Sequence, residues 1–187
     1  MRGKKRERIL RILLQGRALT KYRIAKLAQC SYPWVDEFLK FLEQRQWVKR
    51  TEVIDKKKLF AYWQSVHKPP SYTEYMVQQP LKLLKKAKLR YALTTYQADN
   101  LVEHFLFPSR TDIYIHKEDK EKWHQLLIKQ GLYGKGNLRI LIDDEHVFDA
   151  AVQTSGYTVV SLPQLILDLQ REGSVCGEAA ERLLDHV

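Results

Sequence analysis

Two adjacent prolines, Pro69 and Pro70, divide a 187-residue chain into parts that cannot share one continuous element. Proline has no amide donor and pushes the preceding residue out of helical space, so no helix or ladder runs unbroken through His67-Lys68-Pro69-Pro70-Ser71. The charge changes at the same place. Residues 1–70 carry 18 Lys and Arg against 6 Asp and Glu, and residues 71–187 carry 14 against 16, so the whole excess of a +10 chain lies in the first third. This asymmetry points the first part toward a polyanion and leaves the second for another task. We read residues 1–68 as one domain, 69–72 as a linker and 73–187 as a second domain.

Several function classes fall away. The longest apolar run, Leu59 to Trp63, has five residues, far short of the ~20 that span a bilayer. Arg11 breaks the apolar stretch behind the basic start, and no small-residue cleavage site follows, so the chain is expected in the cytoplasm. Cys30 and Cys176 fit neither a disulfide framework nor a C-x-x-C knuckle and read as free thiols. The histidines at 67, 104, 116, 124, 146 and 186 show no H-x-x-x-H spacing, and we expect no metal and no cofactor. Gly131, Gly134 and Gly136 are not in G-x-G-x-x-G order and read as a turn.

In the first domain Ile9, Leu10, Leu13 and Leu14 recur at helical spacing, which predicts a helix over 4–15 ended near Gly16. Thr20 is placed to cap a second helix over 21–28 that turns Ile24, Leu27 and Ala28 inward, and Ser31 to cap a third with Pro33 in its first turn. Val35, Phe38, Leu39 and Leu42 give that third helix a buried stripe. The strand-like stretches 48–53 and 58–62 then predict a hairpin with Lys56, Lys57 and Lys58 at its tip. The run from Leu19-Thr20-Lys21 through Leu42-Glu43 and Trp47-Val48 resembles the winged helix-turn-helix domain of bacterial and archaeal transcription regulators. That resemblance implies double-stranded DNA as partner. It directs Ser31, Tyr32, Trp34 and Lys40 to DNA from the third helix, Lys21 from the second, and Lys56, Lys57 and Lys58 from the wing. Asp36 and Glu37 place carboxylates on the same exposed surface, where they repel phosphate unless one accepts a bond from a cytosine amine. A winged helix that binds another protein would show the same apolar pattern.

In the second domain we expect a helix over 72–88, a strand at 91–93, a helix over 96–104 and a strand at 112–116. A helix over 118–129 carrying a core Trp123, a strand at 138–142 and closing helices at 162–169 and 178–184 follow. The alternation predicts a mixed sheet with packed helices, which makes the chain α+β overall. Ser161 reads as a helix cap, with Gln164 reaching back as in a capping box, and Asp168 as part of a local polar network with Gln164 and Arg171.

Two resemblances bear on this domain. Ala92-Leu93-Thr94-Thr95, a helix to Phe105, then Arg110-Thr111-Asp112-Ile113-Tyr114-Ile115 is similar to the nucleotidyltransferase motif, a G-G/S turn followed by R-x-D-h-D-h. Thr94 and Thr95 replace the glycine turn, and Tyr114 stands where the second metal carboxylate belongs, so the resemblance implies a degenerate, non-catalytic version. The alternative is an active nucleotidyltransferase acting on tRNA or another nucleic acid, with Asp112 and Asp143 or Asp144 on magnesium. Gly136-Asn137-Leu138, then Val160-Ser161-Leu162-Pro163-Gln164-Leu165 with Asp168-Leu169, and Glu178-Ala179-Ala180 with Leu183, resembles the AbiEi-type antitoxin family of type IV toxin-antitoxin pairs. It implies autorepression of the protein's own promoter and neutralisation of a nucleotidyltransferase-like toxin without stable contact.

Overall fold

The computed structural model describes residues 2–16 and 18–187, with two compact units, Met1–Lys68 with Glu181–Val187 and Pro69–Ala180. The expected linker residues open the second unit, where Ser71 and Tyr72 already lie in a strand. Helices and a mixed seven-stranded sheet together make the chain α+β. Among the described residues no helix is long and apolar enough to cross a membrane.

The first unit runs α1 (Arg2–Leu13), α2 (Lys21–Leu27), α3 (Tyr32–Gln44), β1 (Val48–Lys49), β2 (Glu52–Val53) and α4 (Lys56–Val66). Thr20 caps α2 by accepting from the Arg23 amide at 3.2 Å. The α3 stripe packs as its spacing requires, with Val35, Phe38, Leu39 and Leu42 all buried. Arg11, at a position read as polar, is also buried, with its guanidinium 5.2 Å from the Trp63 ring centre. Glu7 and His67 are buried as a pair, the carboxylate meeting the imidazole Nδ1.

The hairpin differs from expectation. Its strands have two residues each, in register Val48↔Val53 and Lys49↔Glu52, and its tip is Arg50-Thr51. Residues 58–62 belong to α4. The apolar residues there satisfy both periods, and Asp55 decides between them: it accepts from the Lys58 amide at 3.0 Å and starts a helix that buries Leu59, Phe60 and Trp63. The lysine triplet therefore occupies the first turn of α4.

In the second unit, β3 (Ser71–Val77) and α5 (Pro80–Lys86) replace the expected helix over 72–88. Tyr75 and Val77 are buried while Tyr72 and Met76 are exposed, a two-residue period, and Pro80 sits where a helix begins. Next come β4 (Tyr91–Thr94), α6 (Thr95–Val102), β5 (Thr111–Ile115) and, after a 3₁₀ turn, α7 (Lys120–Ile128). Then follow β6 (Gly131–Tyr133), β7 (Leu138–Ile142), β8 (Val152–Thr154), β9 (Tyr157–Val159), α8 (Leu162–Glu172) and α9 (Val175–Leu184). The sheet order is β6-β3-β7-β5-β4-β9-β8, with β5–β7 and β4–β9 parallel and the other pairs antiparallel. Gly131 and Gly136 do more than turn the chain. A Cβ on either would run into the backbone of Met76 or Tyr75, so both permit close approach to β3. Trp123 is fully buried, edge-on to Tyr91 with ring centres 6.2 Å apart.

Candidate nucleic-acid interface

Along one flank of α3, beside the buried stripe, lie Tyr32, Asp36 and Lys40, each four residues apart and so aligned on one side of the helix. Tyr32 is 50% exposed. Asp36 joins two helices, with Lys21 Nζ of α2 2.6 Å from its Oδ1 and Lys40 Nζ 2.9 Å from its Oδ2. The hydrogen bonds from Lys21 and then Lys40 hold the Asp36 carboxyl below its ordinary range, and the bond to Asp36 raises Lys21 in turn. Lys21 also lines a shallow groove with Thr20, Arg50 and Thr51. The hairpin tip is tied to α3 through the Arg50 amide, which donates to Glu43 Oε1 at 2.5 Å. Lys21 and Lys40 thus meet at Asp36, with Arg50 sharing the groove beside Lys21 and Tyr32 one turn before Asp36.

The remaining sequence candidates fall elsewhere. Ser31 is exposed at the start of α3 and makes no capping bond through its side chain. Trp34 is two residues from Tyr32, about 200° around the helix, and turns toward α1, where Lys5 Nζ lies 5.8 Å from its ring centre. Lys56, Lys57 and Lys58 are exposed on α4 and absent from the hairpin tip. Lys58 faces Asp55 at 3.3 Å, and Lys56 lines a different hollow with Gly16 and Val53. The cationic tip residue is Arg50, which sequence reasoning misses. Its left-handed backbone, φ 58°, falls on an arginine and not on the Gly or Asn that would have marked the turn. Tyr22, 70% exposed next to Lys21, escapes for the same lack of pattern.

Asp36 sets how much of this charge is free for phosphate. Asp36→Asn releases both lysines, and we expect tighter binding to any duplex with a log–log salt slope steeper by about 0.9 for each additional phosphate neutralised. Anisotropy titrations at several salt concentrations measure it.

In the second unit the residues around Asp112 and Asp168 are committed to each other. Asp112, 1% exposed, accepts from Arg110 Nε at 2.5 Å and Nη2 at 2.9 Å, and from the Thr95 hydroxyl. Arg110 continues to Glu172 at 3.1 Å, and Arg139 links Glu172 at 3.3 Å to Glu74 at 2.9 Å. Burial opposes the charge on Arg110, but its bonds to Asp112 and Glu172 outweigh that and leave its pKa raised. Tyr114 donates to Asp168 at 2.9 Å, where Thr94 at 2.6 Å, Gln164 at 3.0 Å and Arg171 at 3.4 Å also converge. Burial and then the Asp168 charge hold the Tyr114 phenol well above its ordinary range, so it remains a donor. The polar network read around Asp168 is present and wider than expected. Ser161 and Gln164 form no capping box, for Gln164 turns into this network and Ser161 makes no capping bond.

Asp112 stands opposite Arg139 in the β5–β7 pair. Asp143 is four residues further on, roughly 13 Å along the strand, and among the described residues Asp112, Asp143 and Asp144 do not gather into one ligand cluster. His116, Glu118 and Glu145 do, with ligand atoms within 4.8 Å of one another. No sequence spacing announces this group, because it joins the end of β5 to two separate turns. His116 already pairs with Glu145 and stacks on Phe148 with ring centres 4.0 Å apart. Compared with protein-family models, curated proteins and solved structures, the chain finds no match in any of the three.

Proposed function

We propose that the protein is a cytoplasmic, DNA-binding transcriptional regulator, an antitoxin-like repressor of its own promoter that works without a cofactor. The observation that carries DNA binding is the gathering of Lys21, Lys40 and Arg50 along an exposed face of α3, in a unit that holds the entire positive excess of the chain. A helix of this kind fits the major groove, and flanking cations hold the phosphate backbone on either side. Tyr32 and Asp36 stand where base edges would be read, Asp36 by accepting from a cytosine amine once a phosphate has drawn a lysine away.

The antitoxin role rests on the resemblance over residues 136–184, and with it the functional pairing with a nucleotidyltransferase-like toxin that it does not stably contact. The commitment of Asp112 to Arg110 and Thr95 supports a non-catalytic second unit in which this carboxylate holds the fold. A reporter driven by the DNA upstream of the protein's own gene tests the regulatory claim. We expect repression by the parent chain and its loss in the Lys40→Ala/Arg50→Ala double variant. Equal reporter output with and without the parent protein would refute autorepression.

A further inference from the structure

In the second unit β5 ends at Ile115, and the residue that follows it, His116, is 7% exposed. Two 3₁₀ turns flank this histidine. Lys117–Asp119 brings Glu118, and Glu145–Phe148 brings Glu145 at its start and Phe148 at its end. One ligand atom from each of His116, Glu118 and Glu145 lies within 4.8 Å of the other two. The group is more than a patch of surface acids, because its centre is a buried imidazole held in one orientation. The ring lies against Phe148 with centres 4.0 Å and planes 8° apart, and its Nδ1 meets Glu145. The turn that carries Glu145 and Phe148 is itself fixed by Asp144, which accepts from the His146 amide at 3.1 Å.

The charge is unbalanced. In a chain of net charge +10, neither Glu118 nor Glu145 forms an ion pair with lysine or arginine among the described residues. Two carboxylates thus face one imidazole, and a bound cation supplies the missing charge. The donor set selects the ion: Ca²⁺ and Mg²⁺ take shells of oxygen, whereas imidazole nitrogen beside carboxylate oxygen suits zinc and its neighbours. Tetrahedral zinc, with bonds near 2.1 Å, holds its donors about 3.4 Å apart. Rotation of two exposed glutamates supplies that closure. In the metal-free chain the His116–Glu145 hydrogen bond keeps the pair together, and the ion takes the place of the shared proton. A fourth position stays open to water. The sequence expectation of no metal rested on spacing along one element, which a site assembled from two separate turns does not show.

We propose that His116, Glu118 and Glu145 bind one zinc-class divalent ion, which clamps the end of β5 to the turn at 145–148. The ion has no part in the cofactor-free DNA-binding reading, and its test contains no DNA. Full-length protein, stripped with a chelator, is titrated calorimetrically with Zn²⁺. This site should bind one ion per chain with a Kd of about 10 µM or tighter, and about a hundredfold excess of Mg²⁺ should not displace it. Glu118→Gln is the decisive variant. Glu118 is exposed and makes no hydrogen bond or ion pair among the described residues, so its replacement leaves the metal-free fold as it is. It should melt with the parent when metal-free and lose about tenfold or more in Zn²⁺ affinity, and Glu145→Gln should lose a similar factor. Glu121→Gln, which removes an exposed carboxylate of α7 outside the cluster, should bind as the parent does. Four results would overturn the proposal: no Zn²⁺ binding up to about 100 µM, undiminished binding by Glu118→Gln, an equal loss in Glu121→Gln, or displacement by Mg²⁺.

Discussion

Asp168→Ala should destabilise the protein by about 3–5 kcal/mol, the usual loss when one partner of a buried ion pair is removed. The carboxylate is fully buried on α8 and receives Thr94 from β4, Tyr114 from β5, Gln164 one turn earlier on its own helix, and Arg171. Alanine leaves three buried donors and the partly exposed Arg171 guanidinium facing a small void. Asp168→Asn keeps the volume and one acceptor but places an NH₂ against donors, so it should fall between alanine and the parent. Tyr114→Phe removes a single donor and should cost about 1–3 kcal/mol. Urea denaturation of the three variants checks the order. A loss below about 1 kcal/mol for Asp168→Ala would contradict the structural role given to this network.

The second large effect concerns DNA. Replacing Lys21, Lys40 and Arg50 together by alanine should lower affinity for the upstream duplex roughly 10²-fold or more at about 0.1 M salt. The log–log salt slope should become shallower by about 0.9 for each phosphate no longer neutralised, at most about 2.7 for all three side chains. Asp36 sharpens this effect, because without its two lysines it faces the phosphates unpaired. Replacing Lys56, Lys57 and Lys58 instead should change affinity far less, since those side chains lie on α4 and not at the hairpin tip. If the α4 triplet proved the stronger determinant, the interface would lie on another side of the first unit. Circular dichroism confirms that both triple variants fold, as all six side chains are at least partly exposed.

How much of this was legible beforehand depended on how many readings a segment's pattern allowed. The stripe of Val35, Phe38, Leu39 and Leu42 admits one period, so α3 and its outward face could be placed from sequence. Strands β5 and β7 were equally plain, short apolar runs flanked by polar turns. Residues 59–62 are apolar on both faces, and the choice between strand and helix passed to a single cap, Asp55, whose weight no periodicity conveys. Residues 72–88 misled for a related reason. The leucines of α5 imposed a helical period on a stretch whose first half alternates, and Pro80 marks where α5 starts. The site was less legible than the fold. Cations could be counted, but which of them meet depends on Asp36 bridging helices 15 residues apart in sequence and on a hairpin shorter than expected. Asp112 reads as a metal ligand only under the active-nucleotidyltransferase alternative. Only the three-dimensional pairing with Arg110 and Thr95 shows its oxygens already occupied.

The central claim, a sequence-specific DNA reader on the face of α3, is tested most directly by fluorescence anisotropy. Purified full-length protein is titrated against its own upstream duplex and against a scrambled duplex of equal length, at several salt concentrations. The account predicts tighter binding to the upstream duplex by about 10³-fold or more near physiological salt, with both affinities falling as salt rises. Equal affinity for the two duplexes, or none for either, would contradict it.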